Sequence, residues 1–241
     1  MIPLRDRNPT RRTPVVTYAL IGACLAAFGL ELSITASGGD PALERFFGEW
    51  AAIPAGITDS LAAGTYTSQA MLGMLTSMFL HGGWLHLLGN MLFLWIFGNN
   101  VEDRLGHVPF LLFYLAAGVA AVLAQVAIDP RSEIPLVGAS GAIAGALGAY
   151  IVLFPGARIL SLVFLGFFYQ LLEVPAIVVL GFWFALQLLN GVAGLGAETA
   201  QGGVAFFAHI GGFVFGIVVG LLLRIGGLGT RGRGPSMAPM G

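Results

Sequence analysis

The sequence predicts an all-α, polytopic membrane protein: a six-helix transmembrane bundle with a long first outer loop. Three observations predict it. Of 241 residues, 57% are hydrophobic and only 10% charged, against about 25% charged in soluble domains. Mean hydropathy is +0.87. Apolar runs of about twenty residues, enough to cross the hydrocarbon, recur between short polar connections. The net charge of −1 argues against nucleic acid as a partner. All 11 basic residues are Arg, which with the Gly and Ala content hints at a GC-rich bacterial genome. Cys24 is the single cysteine, so no internal disulfide can form.

Residues 1–14 form a short basic tail with Arg5, Arg7, Arg11 and Arg12 against Asp6, expected in the cytoplasm because short basic flanks stay inside. Span one, 15–36, carries only Glu31, and its length and missing small-residue cleavage site read as a retained helix. Residues 37–82 form a long acidic connection, also rich in Phe, Trp, Met and Leu, expected partly in the outer interface with structure of its own. Span two, 83–101, ends in a polar inner turn where Glu102 and Arg104 could pair. Span three is 108–128. Span four, 138–154, is Gly/Ala-rich.

The stretch 159–192 is too long for one span and too short for two. Arg224, Arg231 and Arg233 argue for an inner C-terminus, hence an even number of spans. Residues 159–173 are therefore expected at the inner face, either flat or dipping into the bilayer, and span five at 174–192. An outer loop with Glu198 leads to span six, 204–223. The tail 225–241, Gly/Pro/Arg-rich, is expected to be disordered. The membrane domain is 15–224.

Spans two, four and six then all run from outside to inside. His86, Asn90, Ser140 and His209 lie two to seven residues below their outer ends. At 1.5 Å per residue this is one layer roughly 3–11 Å deep. Singly, each has a bland reading: a Ser bonded to its own helix, or His and Asn bonding a neighbouring helix. Together they make a nucleophile and base. Ser140 needs a base to become nucleophilic, and His209 is the candidate. No acid lies in the body of span four or six, so a dyad is expected rather than a triad. His86 and Asn90, four residues apart on one face, and the Ser140 N–H at a helix N-terminus would face the oxyanion. Gly141-xxx-Gly145 and Gly212-xxx-Gly216-xxx-Gly220 would let spans four and six approach closely. His81 reads as a hydrogen-bonding residue near the outer end of span two, and His107 as a solvated loop residue. Trp183 and Gln187, on one face of span five, read as packing residues that could also serve a gate. No zinc motif is present, and no metal is expected.

His86-xxx-Asn90 preceded by His81, Gly138-Ala139-Ser140-Gly141, and Ala208-His209-xx-Gly212-xxx-Gly216 follow one another in an order that resembles the rhomboid intramembrane serine proteases. The turn from Gly98 to Gly106, with Glu102, also looks like that family's. The resemblance covers about Thr76 to Leu223. It implies a bacterial inner (cell) membrane protein, a site open to water from outside, Ser140 as nucleophile, His209 as general base, and His86 and Asn90 as oxyanion ligands. It implies transmembrane protein substrates cut near helix-weakening sequence, a gate formed by the fifth helix and the loop over the site, and no cofactor. Two departures stand out. Many members carry an aromatic four residues after the serine, stacked on the histidine, where this chain has Ala144. Some carry a Trp-Arg pair in the first outer loop, where Trp50 here precedes Ala51.

Two alternatives compete: a rhomboid-like protein that binds membrane clients without cutting them, and a small transporter using the polar layer as a solute site. The intact Ser140 and His209 disfavour the first. The absence of paired broken helices or inverted halves disfavours the second.

Overall fold

A computed structural model describes residues 1–66, 68–166, 168–194 and 205–227. Glu198, Arg231, Arg233, residue 204 and the tail from 228 on lie outside the described residues.

The chain is mainly helical. Helix α1 (Val15–Trp50) starts after Pro14 and breaks at Gly39, whose φ of 67° only glycine adopts readily, just before Pro41. Thr17, Leu20, Cys24, Phe28 and Glu31 are its buried residues. Their three- and four-residue spacing makes the stripe that faces the bundle. The long connection continues α1 to Trp50 and adds α2 (Pro54–Ala63) and α3 (Ser68–Thr76). Helix α4 (Trp84–Phe93) passes through a π-helical turn, 94–98, into α5 (Asn99–Leu105). Then come α6 (His107–Ile128), α7 (Ser140–Leu153), α8 (Ala176–Ala193) and α9 (Phe206–Ile225). Among the described residues, α1, α6, α8 and α9 are long and apolar enough to cross a membrane, and the pair Gln69–Phe79 with Trp84–Leu105, bent by 79°, makes a fifth candidate.

Helix α7 has 14 residues, about 21 Å at 1.5 Å per residue, short for a lone span. Every residue from Gly141 to Tyr150 is buried. It is the centre of the bundle, enclosed by α6 and α9, so protein rather than lipid surrounds it. Glycine makes this possible. A Cβ at Gly212 would strike the Gly141 carbonyl and one at Gly216 the Gly145 carbonyl, while Gly141 and Gly145 face Ala121 and Ala117 of α6. The small-residue faces thus bring three backbones together.

The stretch expected at the inner face is β structure. Strands β2 (Arg158–Leu165) and β3 (Phe168–Pro175) form an antiparallel hairpin, and the N-terminal β1 (Ile2–Asp6) pairs with β2 to complete a sheet in the order β1-β2-β3. Gly166, φ 66°, supplies the left-handed turn. Leu, Val, Phe and Tyr on both strands suit extended backbone. Both faces of β3 are apolar, so no period-two alternation marks it. Asp6 locks the sheet to the bundle: the Asn100 amide and the Tyr150 hydroxyl both donate to its Oδ2, at 2.5 and 2.9 Å. Arg7 pairs with Glu173.

Glu102 is the other lock at this end. Its Oε1 accepts the Val16 N–H at 2.9 Å and the His107 Nδ1–H at 2.6 Å. Its Oε2 accepts the Thr17 N–H and hydroxyl, both at 2.7 Å. These four donors fill the Glu102 carboxylate, which is buried against the start of α1. His107, expected in a loop, opens α6; it is exposed, as expected, yet held to Glu102.

Candidate active site

Ser140 is the first residue of α7, His209 lies in the first turn of α9, and His86 and Asn90 lie in the first two turns of α4. All four line one cavity of about 1020 Å³, so these three helices begin at the same end of the bundle. The sheet and the Glu102 cluster occupy the opposite end.

The segment before Ser140 is held at two points. Leu136 exchanges backbone hydrogen bonds with Ala52 (2.8 and 3.4 Å), and the Gly138 N–H donates to Ser77 O at 2.9 Å. The Ala52 pairing anchors the first loop through backbone. Thr76 adds a bond to Trp50 O. Gly138 has φ 126°, and a Cβ there would lie 2.6 Å from His86 Nε2 and 3.5 Å from Ser140 Oγ. His86 and Ser140 therefore close on the same point, and only glycine leaves room between them.

Ser140 Oγ lies 2.7 Å from His209 Nε2. His209 Nδ1 lies 2.7 Å from Gln187 Oε1 on α8. An amide oxygen only accepts, so Nδ1 carries the proton and donates to Gln187. Nε2 is then unprotonated and accepts from the Ser140 hydroxyl. This is the tautomer a general base needs. The Trp183 ring packs on the imidazole with centroids 5.9 Å apart and planes 35° from parallel. It takes the place of the aromatic missing at Ala144, which is buried against the small face of α9. Trp183 and Gln187, expected as packing residues, thus meet the histidine. A Trp-xxx-Gln pair, four residues apart with one amide in an apolar span, is the signal that marks them.

Asn90 is 7% exposed, and its Nδ2 has no hydrogen-bond partner among the described residues. A buried donor without an acceptor is costly unless something else fills the role. His86 borders the same space. The N–H groups of the first turn of α7 also lack intrahelical acceptors. Behind His86 stands His81, 1% exposed, with the two rings edge to face at 5.3 Å. The His81 N–H donates to Glu31 Oε1 at 3.0 Å and its Nδ1 to Phe79 O at 3.0 Å. Glu31, the lone charge of the first span, therefore fixes the turn leading into α4. Its role left no mark in the sequence beyond its being charged. Among the described residues no group of three or more His, Cys, Asp or Glu side chains could hold a metal ion.

A family model described as the rhomboid domain matches residues 68–225. Rhomboid protein 1, mitochondrial, of Saccharomyces cerevisiae is 29% identical over 209 residues, 85% of this chain and 52% of that protein. RHOMBOID-like protein 4 of Arabidopsis thaliana is 38% identical over 152 residues, 63% of this chain and 34% of that protein. Rhomboid protease GluP of Bacillus subtilis is 35% identical over 160 residues, 66% of this chain and 27% of that protein. The chain spans about half the length of these relatives or less.

Proposed function

Because the chain belongs to the rhomboid family, we propose that it is an intramembrane serine endopeptidase that cuts membrane proteins in or near their transmembrane segments with a Ser140–His209 dyad. The observation that carries this reading is the 2.7 Å contact between Ser140 Oγ and an His209 Nε2 left free to accept a proton.

The chemistry follows from the geometry. His209 Nε2 takes the hydroxyl proton as Ser140 Oγ bonds to the substrate carbonyl carbon. A positioned base of this kind contributes about 10²- to 10⁴-fold. The carbonyl oxygen becomes an oxyanion facing Asn90 Nδ2, His86 and the Ser140 N–H. A donor of this type contributes roughly 3–4 kcal/mol. The tetrahedral adduct collapses, the C–N bond breaks, and His209 passes its proton to the departing amine. An acyl ester remains on Ser140. Water, deprotonated by His209, hydrolyses it and restores the serine.

The proposed orientation puts the N-terminus and C-terminus in the cytoplasm of a bacterial cell and the cavity on the outer side. The support is Arg5, Arg7, Arg11 and Arg12 at the end opposite Ser140. Six spans follow if α7 counts as the fourth. The tail 1–14, the membrane domain 15–224 and the tail 225–241 are the proposed divisions.

The test is cleavage of a panel of single-span reporter proteins, with small residues near the outer end of their spans, in vesicles holding the purified chain. Wild type is expected to cut at least one reporter, and Ser140→Ala none. If wild type leaves the whole panel intact while an active rhomboid cuts it in parallel, the protease reading fails and a client-binding role takes its place.

A further inference from the structure

The groups that fix the His209 ring, other than Ser140, come from a helix that carries no part of the dyad. Gln187 and Trp183 are one turn apart on α8, and both reach the imidazole. Phe213, one turn below His209 on α9, continues the same contact: it lies 6.0 Å from the Trp183 ring and stacks on Phe184 at 4.5 Å. Seen from His209, α8 supplies the acceptor for one nitrogen and an aromatic wall for the ring face.

Helix α8 is also loosely embedded. Of its 18 residues, Ala176, Val179, Leu180 and Gly191 are buried. Phe182, Leu189 and Val192 are 55%, 66% and 60% exposed. A helix held by so narrow a strip moves more readily than α7, and a shift of about 1 Å takes a 2.7 Å hydrogen bond out of range. Without the Gln187 oxygen nothing in the described site requires the proton to sit on Nδ1. With the proton on Nε2, the ring can only donate toward Ser140 and cannot take its hydrogen.

We propose that Gln187 is a positioning residue that sets the tautomer of His209, so that the base is competent only while α8 is docked against α9. This rests on the Ser140–His209 reading. Any movement of α8 that admits a substrate switches the base off, and redocking switches it on. Peptide hydrolysis would then follow closure of the helix around the bound chain.

Two measurements separate this proposal from the reading it rests on. The first needs no catalysis: ring-¹⁵N histidine NMR of Ser140→Ala in detergent. The expected spectrum has a protonated Nδ1 and a bare Nε2 for His209. The protonated Nδ1 signal should be lost in Ser140→Ala/Gln187→Met, whose thioether is only a weak acceptor, and return in Ser140→Ala/Gln187→Glu, which restores an oxygen. An unchanged tautomer in the Met variant overturns the proposal, whatever the enzyme cleaves.

The second uses a disulfide. A Cβ at Gly191 would lie 3.3 Å from that of Phe206, close to the separation a disulfide spans. Gly191→Cys/Phe206→Cys, oxidised, should hold α8 on α9. The locked chain should react with a small fluorophosphonate at the wild-type rate yet lose cleavage of transmembrane reporters, and Gln187→Met should slow both about 10²-fold. A locked chain that reacts with the small probe at least tenfold slower than its reduced form overturns the coupling. If no variant and no wild type reacts, the protease reading fails, and the NMR result still decides the role of Gln187.

Discussion

Gly216→Ala tests how closely the site depends on the α7–α9 approach. The new Cβ would strike the carbonyl oxygen of Gly145, with Gly145 C 2.7 Å and Cα 2.9 Å away. These are backbone atoms of a buried helix and cannot rotate aside. Carbon pairs rest at about 3.5–4.0 Å, so the helices must part by about 1 Å. Seven residues from Gly216, on the same face, is His209. Parting the helices stretches its 2.7 Å bond to Ser140 to about 3.7 Å, outside hydrogen-bonding range. Misplacement of this size costs about 10²-fold in rate, and overfilling the contact costs about 1–3 kcal/mol of stability. Gly220→Ala, whose nearest contact is Val152 Cβ at 3.0 Å, should do less. Gly29→Ala, with nothing within 4 Å, should leave rate and stability near wild type. The readouts are reporter cleavage in vesicles and thermal unfolding in detergent. A Gly216→Ala protein that cuts and melts like wild type would refute the reasoning.

Asn90→Ala removes an unpartnered donor, so reporter kcat should fall about 10²- to 10³-fold with no matching loss in melting temperature. An equal loss of both would make Asn90 structural. Glu102→Gln keeps one acceptor oxygen for four donors, and should lower stability by about 3 kcal/mol through loosening of α1 on α5. An unchanged melting temperature would contradict that. Asp6 is pushed from 3.8 up to about 6 by burial, against the opposing pull of the Tyr150 hydroxyl, Arg5 and the Asn8 amide. Its folded state therefore binds the proton more tightly than its unfolded state. Docking of β1 should be firmest at low pH and weaken by up to about 2 kcal/mol as pH rises from about 4 through 6. Asp6→Asn keeps the oxygen that Asn100 and Tyr150 donate to and should flatten that slope, measured by hydrogen exchange of the β1 amides.

The candidate site was legible because membrane burial makes polar residues rare. Ser140, His209, His86 and Asn90 stood out against apolar runs, and the span boundaries with the charge bias put them in one layer. The glycine faces were legible for the same reason: an i, i+4 repeat of small residues has few uses other than close approach. The sheet was hidden. Residues 158–175 are apolar on both faces, so they show neither helical nor strand period, and their partner, Ile2–Asp6, lies some 150 residues away in what reads as a polar tail. Gln187 was visible yet undervalued, because the sequence shows which face of α8 it shares with Trp183 but not that His209 lies opposite. Glu102, expected in a polar turn, lies in α5, and its partners, Val16 and Thr17, lie some 85 residues upstream.

The most direct test of the proposed dyad is covalent labelling. Wild-type protein in detergent, treated with a fluorophosphonate and digested for mass spectrometry, should carry one adduct, on Ser140, and both Ser140→Ala and His209→Ala should carry none. Folded wild-type protein that stays unlabelled beside an active rhomboid, or an adduct on Ser140 that survives His209→Ala undiminished, would contradict the account.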